Sequence, residues 1–308
     1  VALARDLLPA GVTVHERGWL SSNLTLLIGA AATALVDSGY ATHAEQTLAL
    51  VRGALAGRPL DTIVNTHLHS DHCGGNAALQ AAYPGARTWI PPGLAAHVRD
   101  WDPVALSYAP TGQTCPRFRL DDTLQPGSEL VLGDLAWRVH AAPGHDPHSV
   151  ILFEPRSRAL LSADALWENG FGIVFPELEG EHAFDEVGAT LDLIAALEPA
   201  VVVPGHGSVF TDVAAALARA RSRLEAYRAS PARHAAHAAK VLLKFKLLEL
   251  QRLPWNAFAA WAEGTPYFRL VQERWFPQLA LQPWLEQLYD ELVEAGAARR
   301  EPGFATNR

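Results

Sequence analysis

The sequence predicts an α+β fold, with a strand-rich region over residues 1–230 that carries the chemistry and a small all-α module over residues 231–308. Three observations lead there. Short apolar runs bounded by turn residues outnumber helical periods in the first region. Histidine and aspartate recur just after several of those runs, where strand ends would gather them. Beyond Ser230-Pro231 the strand pattern stops and 3.6-residue periodicity takes over. A chain of 308 residues with 49% hydrophobic content has ample material for a sizeable core in one large or two ordinary domains.

In order, residues 13–16, 23–28 and 33–36 read as antiparallel strands, the third closed by Asp37-Ser38-Gly39. Residues 41–56 read as a helix with Leu48, Val51 and Leu55 on one face. Residues 61–65 read as a buried strand and 76–83 as a helix. A further strand follows at 88–91 and a short helix at 93–99. The run 100–119 contains Trp101, Pro103, Tyr108, Pro110 and Pro116 and reads as an irregular insertion that borders a pocket. Residues 130–132 and 135–141 form a hairpin about Gly133-Asp134. Strands at 149–153, 159–162 and 200–203 alternate with a loop at 165–181 and helices at 182–197 and 212–227. In the module, residues 241–250, 255–262, 267–275 and 284–294 read as helices, and no strand is predicted there.

The stretch Thr66-His67-Leu68-His69-Ser70-Asp71-His72-Cys73-Gly74-Gly75 packs three imidazoles and a carboxylate between the strand at 61–65 and the helix at 76–83. Imidazole and carboxylate are common ligands of zinc and similar divalent ions. Three further ligand-type residues stand just after strands: His145 in Pro143-Gly144-His145, Asp164 after Leu161-Ser162-Ala163, and His206 in Pro204-Gly205-His206-Gly207.

These motifs resemble the signature of the metallo-β-lactamase-fold hydrolases over roughly residues 12–210, in particular the glyoxalase II-like branch. The resemblance implies a four-layer αββα sandwich. By motif position it implies that His67, His69 and His145 bind one metal, that Asp71, His72 and His206 bind a second, and that Asp164 bridges both. Two divalent ions follow, zinc by default, with iron and manganese left open by the mixed nitrogen and oxygen donors. In that family an aspartate at the place of Asp37 supports the metal loop; an ordinary turn aspartate is the alternative. Asp146 stands where relatives often carry Thr or Ser. The module resembles the small helical or winged-helix-like unit of some subfamilies, including a β-lactamase-like endoribonuclease group.

The chemistry implied is hydrolysis, with water activated at the ions near neutral pH and Asp71 orienting it as a catalytic residue. The leading expectation is attack on a thioester, ester or lactone carbonyl of a small molecule. The alternatives are a phosphodiesterase or endoribonuclease, and a non-enzymatic ligand-binding relative. His148, Trp167, Asn169 and Phe171 are expected at the substrate cleft, against packing or local hydrogen bonding as the alternative. Net charge is -8 overall, -10 over residues 1–230 and +2 over 231–308, which makes nucleic acid an unfavoured partner. The segment from Arg233 to Lys246 is locally basic; contact with a phosphate or acidic substrate competes with a solvated helix face.

Two cysteines without a Cys-X-X-Cys motif indicate no disulfide scaffold. No stretch has the length of a membrane span, and the first residues lack a basic segment followed by a long apolar run. A cytoplasmic protein is therefore expected. The tryptophan-rich module either caps the active site or forms a homodimer interface.

Overall fold

A computed structural model describes residues 4–308. The first sheet runs in chain order: β1 (Val12–His15), β2 (Leu24–Ile28), β3 (Thr33–Val36), β4 (Thr62–Val64), β5 (Arg87–Ile90) and β6 (Asp122–Thr123). The first three strands are antiparallel and β3 to β6 are parallel. Parallel neighbours need crossovers. α1 (Ala44–Leu55) links β3 to β4, and α2 (Ser70–Cys73) and α3 (Asn76–Ala82) link β4 to β5. α4 (Ala95–Asp100) and α5 (Tyr108–Thr111) lie in the insertion before β6.

The second sheet contains β7 (Glu129–Leu132), β8 (Leu135–Ala141), β9 (Val150–Glu154), β10 (Ala159–Ala163) and β11 (Val201–Pro204), in the order β11-β10-β9-β8-β7. α6 (Phe175–Glu179) and α7 (Phe184–Leu197) cross from β10 to its parallel neighbour β11, and α8 (Val213–Ala229) follows.

Strand alternation explains the layers. In β2, Leu24 and Leu26 join Leu48, Val51 and Leu55 of α1, while Leu27 faces the second sheet. In β9, Val150 and Leu152 face the first sheet, and Ile151 and Phe153 pack under α7 and α8. Strands buried on both faces read as continuous apolar runs, as Val201, Val202 and Val203 do. The result is the four-layer αββα sandwich, with fully buried Trp137 between the sheets.

Beyond Ser230 come α9 (Pro231–Leu250), β12 (Arg252–Pro254), α10 (Trp255–Gly264), α11 (Pro266–Trp275), α12 (Leu281–Glu294), β13 (Ala298–Glu301) and β14 (Phe304–Asn307). The last three helices agree with expectation and the first begins ten residues earlier than the expected 241–250, but an all-α unit is corrected: a three-stranded antiparallel sheet, β12-β14-β13, closes the chain. The stretches Ala298-Arg299-Arg300-Glu301 and Phe304-Ala305-Thr306-Asn307 lack a clear apolar alternation, because this sheet rests on backbone pairing about a Pro302-Gly303 turn. Among the described residues no helix is long and apolar enough to cross a membrane.

The helical region is fastened to the sandwich rather than tethered beside it. Ile173 and Leu178 share its core, and the Tyr40 ring meets Phe245 edge-on at 5.0 Å. On α9, His234 Nε2 accepts the Val174 backbone N–H at 3.1 Å. Burial, reinforced by nearby His237, pulls the His234 pKa down to about 3. The fold therefore selects neutral His234. Its contribution is complete above the ordinary value of 6.5 and is lost as pH falls toward 3. Between pH 7 and 4.5 the Tm of metal-stripped protein should fall further for the wild type than for His234→Gln, by several degrees at about 2–4 °C per kcal/mol. Circular-dichroism melts check this; parallel Tm curves would remove His234 as the acid-sensitive contact.

Candidate metal centre

The groups of the centre stand at carboxyl ends of strands or in the turns that follow. β4 leads to His67 and His69, and the short helix α2 turns Asp71 and His72 back toward them. β8 leads to His145, β10 to Asp164 and β11 to His206. Because β10 and β11 are parallel neighbours, Asp164 and His206 emerge side by side. The sheets are locked together there: Val150 N–H donates to Thr66 O at 2.9 Å and Asn23 N–H to Gly205 O at 2.7 Å.

The side chains converge into overlapping groups. One ligand atom from each of His67, His69 and His145 lies within 4.8 Å of the others, and the same holds for Asp71, His72 and His206, and for His67, His72 and Asp164. His69 Nδ1 is 2.8 Å from His145 Nε2, and His206 Nε2 is 3.0 Å from Asp71 Oδ2. Asp164 lies between the groups, with Oδ2 3.4 Å from His145 Nε2 and Oδ1 3.5 Å from His72 Nε2.

Asp37 organises this cluster from behind. Its Oδ1 accepts the Thr66 backbone N–H at 2.9 Å, and its Oδ2 accepts Thr66 Oγ1–H at 2.9 Å. His72 Nδ1 is 2.8 Å from the same Oδ2, and His67 Nδ1 is 3.2 Å from Thr66 Oγ1. His145 Nδ1 meets Ile173 O at 2.5 Å. These acceptors keep the proton on Nδ1 of each ring and aim Nε2 at the cluster. Asp37 adopts a φ of 59° and Ala163, before Asp164, a φ of 48°. Left-handed backbone at non-glycine residues is costly and persists where surrounding structure enforces it.

The electrostatics suit a cation. His67 Nε2 and His72 Nε2 are buried with no hydrogen-bond partner among the described residues, a costly condition unless something fills the space. Burial, followed by neighbouring imidazoles, holds His67 well below its ordinary pKa and His145 at about 4, so both offer lone pairs at neutral pH. Burial also acts to lower His72, but Asp164, Asp37 and Asp71 outweigh it and raise His72 well above its usual value. Burial acts to raise Asp164, yet His72 and His206 hold it well below the carboxylate range. Three carboxylates crowded around imidazoles form a site whose charge balance favours divalent cations.

A cavity of about 100 Å³ opens over the cluster. Trp19, Trp167, Ile173 and Phe175 wall it on one side, and Val241, Leu242 and Phe245 of α9 close it. Ser107, Thr111 and Gln113 of the insertion complete the rim, so that insertion does border the pocket. A second pocket of about 230 Å³ adjoins it through His69, Ser107 and Phe175, and holds Asp146, His148, Glu179 and Tyr267.

A family model for the metallo-beta-lactamase superfamily matches residues 17–206, more than half of the chain and every side chain of the cluster. The chain belongs to this superfamily. Among relatives of this superfamily member, a hydroxyacylglutathione hydrolase from Anaeromyxobacter dehalogenans (strain 2CP-C) is 34% identical over 229 residues, covering 70% of this chain and 76% of that protein. Another hydroxyacylglutathione hydrolase, from Acidiphilium cryptum (strain JF-5), is 32% identical over 199 residues, 64% of this chain and 69% of that protein. A solved metallo-beta-lactamase family protein from Thermus thermophilus shares the fold over 98% of this chain and 100% of its own, with a TM-score of 0.58 and 23% identity. Membership, these relatives and the His/Asp groups make the chain a metal-dependent hydrolase.

In this metallo-beta-lactamase superfamily member, the seven residues singled out by motif are brought together, whereas the expected cleft residues separate. Trp167 lines the cavity, and its Nε1–H donates to Asp164 Oδ1 at 3.1 Å. His148 lies in the adjoining pocket, beyond the cluster. Asn169 faces a different groove, between α8 and α9. Phe171 does not line the cleft: it is buried in the core under α7 and α8 and meets Tyr227 edge-on at 6.2 Å. The tight turn closed by the Trp167 N–H to Gly170 O bond at 2.6 Å sends these neighbours in different directions. Trp19, stacked on His206 at 5.5 Å, was missed, as were the α9 residues. Trp19 stays 57% exposed, an unusual position for tryptophan and the one available signal.

Proposed function

We propose that this chain is a binuclear metal-dependent hydrolase of small-molecule thioesters. The observation that carries the reading is the 34% identity to a hydroxyacylglutathione hydrolase, across about three quarters of that protein. His67, His69 and His145 would hold one ion, Asp71, His72 and His206 the other, and Asp164 both. Zinc fits these donors by default, and iron or manganese would use the same set. Bound there, the ions would lower the pKa of water toward about 7 and polarise the scissile carbonyl.

The chain's own residues do the rest. Asp71, with Oδ2 3.0 Å from His206 Nε2, would orient the attacking water. Trp167 holds the Asp164 carboxylate, and the aromatic walls with α9 exclude bulk solvent. The hydroxyl and thiol beside the ligands are engaged elsewhere: Ser70 Oγ–H donates to Gln113 Oε1, and Cys73 Sγ meets Leu68 O at 3.4 Å. Burial pushes the Cys73 thiol well up. Water is therefore the nucleophile.

Zinc-loaded protein should turn over small acyl thioesters in preference to lactones and carboxylic esters, and chelation should abolish that turnover. A steady-state panel of the three classes, with metal-stripped protein as control, checks this. Turnover confined to phosphodiesters would overturn the carbonyl assignment.

A further inference from the structure

Among the described residues, the two pockets over the centre contain no lysine or arginine, and the outer one carries Asp146, Glu179 and Glu181. Apart from the ions of the centre itself, an anionic group on the substrate would find no cationic side chain there. The cations lie in a groove of about 1010 Å³ between α8 and α9, among them Arg219, Arg223, Arg233 and Lys240, with His237 between them. In a chain of net charge -8 this concentration stands out. Among the described residues Glu291 is its one carboxylate, and it pairs with Lys240 at 2.8 Å. Arg223 and Arg233 form no ion pair among the described residues. Burial, then Arg223, Lys240 and Arg233, drag His237 down to about 4, so these cations share one field.

A single turn lies between the groove and the catalytic cavity. Trp167 lines the cavity and Asn169 lines the groove. Two residues span at most about 7 Å of chain. Trp167 N–H donates to Gly170 O at 2.6 Å to close the turn. On its far side, Arg219 Nε–H donates to Glu168 O at 2.8 Å. The Arg223 guanidinium covers Gly170: a Cβ there would sit 2.4 Å from Arg223 Nη1, and φ is +120°. Arg219 and Arg223 thus lie against the loop whose indole holds Asp164.

Resting on the thioester reading, we propose that the α8–α9 groove is a subsite for the phosphate-bearing end of the substrate's thiol carrier, with the acyl group in the acidic and apolar pockets over the metals. Arginine forks match phosphate oxygens in number and direction. The acidic outer pocket and the basic groove differ in charge and so orient the substrate: an acyl group that is neutral or cationic enters the first, and a phosphorylated carrier the second.

The test uses full-length, zinc-loaded protein and Arg223→Gln/Arg233→Gln. Calorimetry with adenosine 3′,5′-bisphosphate should show binding that weakens at least about tenfold in the double variant, as loss of charge-assisted hydrogen bonds entails. Butyryl thioesters of coenzyme A, glutathione and N-acetylcysteamine then separate the two ideas. The kcat/KM ratio of the phosphorylated carrier over the neutral one should exceed unity and fall about tenfold in the variant, chiefly through KM. A ratio near unity, or one the variant leaves alone, would overturn the subsite while leaving thioester hydrolysis standing. No turnover of any thioester would sink the underlying reading and the carrier assignment with it. Tighter binding of short single-stranded RNA than of the bisphosphate, lost in the variant, would overturn the proposal in favour of a nucleic-acid groove.

Discussion

Replacing Asp164 by alanine is expected to reduce metal content from two ions per chain to one or none and to cut turnover about a thousandfold, the several kcal/mol supplied by a metal site. Asp164 stands 3.4 Å from His145, 3.5 Å from His72 and 3.8 Å from His206, a position within reach of both groups of ligands. Its loss also frees Trp167 Nε1 and removes the strongest of the carboxylates that raise His72. Elemental analysis and steady-state kinetics check the two effects together. Full metal content with wild-type turnover would reject the bridging role. Loss of both with an unchanged melting profile in the metal-free state would locate the defect in the centre rather than in the fold.

The second large effect is expected from a residue that binds nothing. A Cβ at Gly205 would lie 2.1 Å from Asp164 Oδ1 and 2.9 Å from His72 Cε1. The backbone cannot retreat easily, because Gly205 N–H donates to Ala163 O and its carbonyl accepts Asn23 N–H, both at 2.7 Å. Gly205→Ala should therefore displace the carboxylate, release metal and lower kcat/KM up to about 100-fold, the scale seen when groups that position ligands are altered. Gly53→Ala on α1, where the added methyl meets open space, serves as the control and should change neither property. Normal metal affinity in Gly205→Ala would show that the strand end has slack.

The cluster was legible because its chemistry is concentrated and its context is local. His67, His69, Asp71 and His72 fall within six residues, and His145, Asp164 and His206 each follow an apolar strand. The sandwich was legible for a related reason, since strands such as β9 and β11, buried on both faces, leave continuous apolar runs. What escaped depends on tertiary placement. Nothing local in Val241, Leu242 and Phe245 says that α9 docks over the cavity; they read as a helix with an apolar face. Phe171 and Asn169 were grouped with Trp167 by proximity, yet the turn closed by Gly170 parts them. The terminal sheet is polar and short, so pairing rather than patterning defines it.

Asp37 shows how a turn residue gains meaning. In sequence it is one aspartate before Ser38-Gly39. In the fold its two oxygens tie the Thr66 backbone, the Thr66 hydroxyl and His72, and through that hydroxyl also reach His67. A carboxylate buried at 4% exposure with that many partners fixes ring orientation before any ion arrives.

The most direct measurement is titration of metal-stripped protein with zinc while bound metal and thioester turnover are followed in parallel. The account predicts two ions bound per chain, no turnover without metal, and full turnover only as the second equivalent is taken up. Turnover that persists in protein free of metal, or saturates with no ion bound at the Asp71, His72 and His206 group, would contradict it.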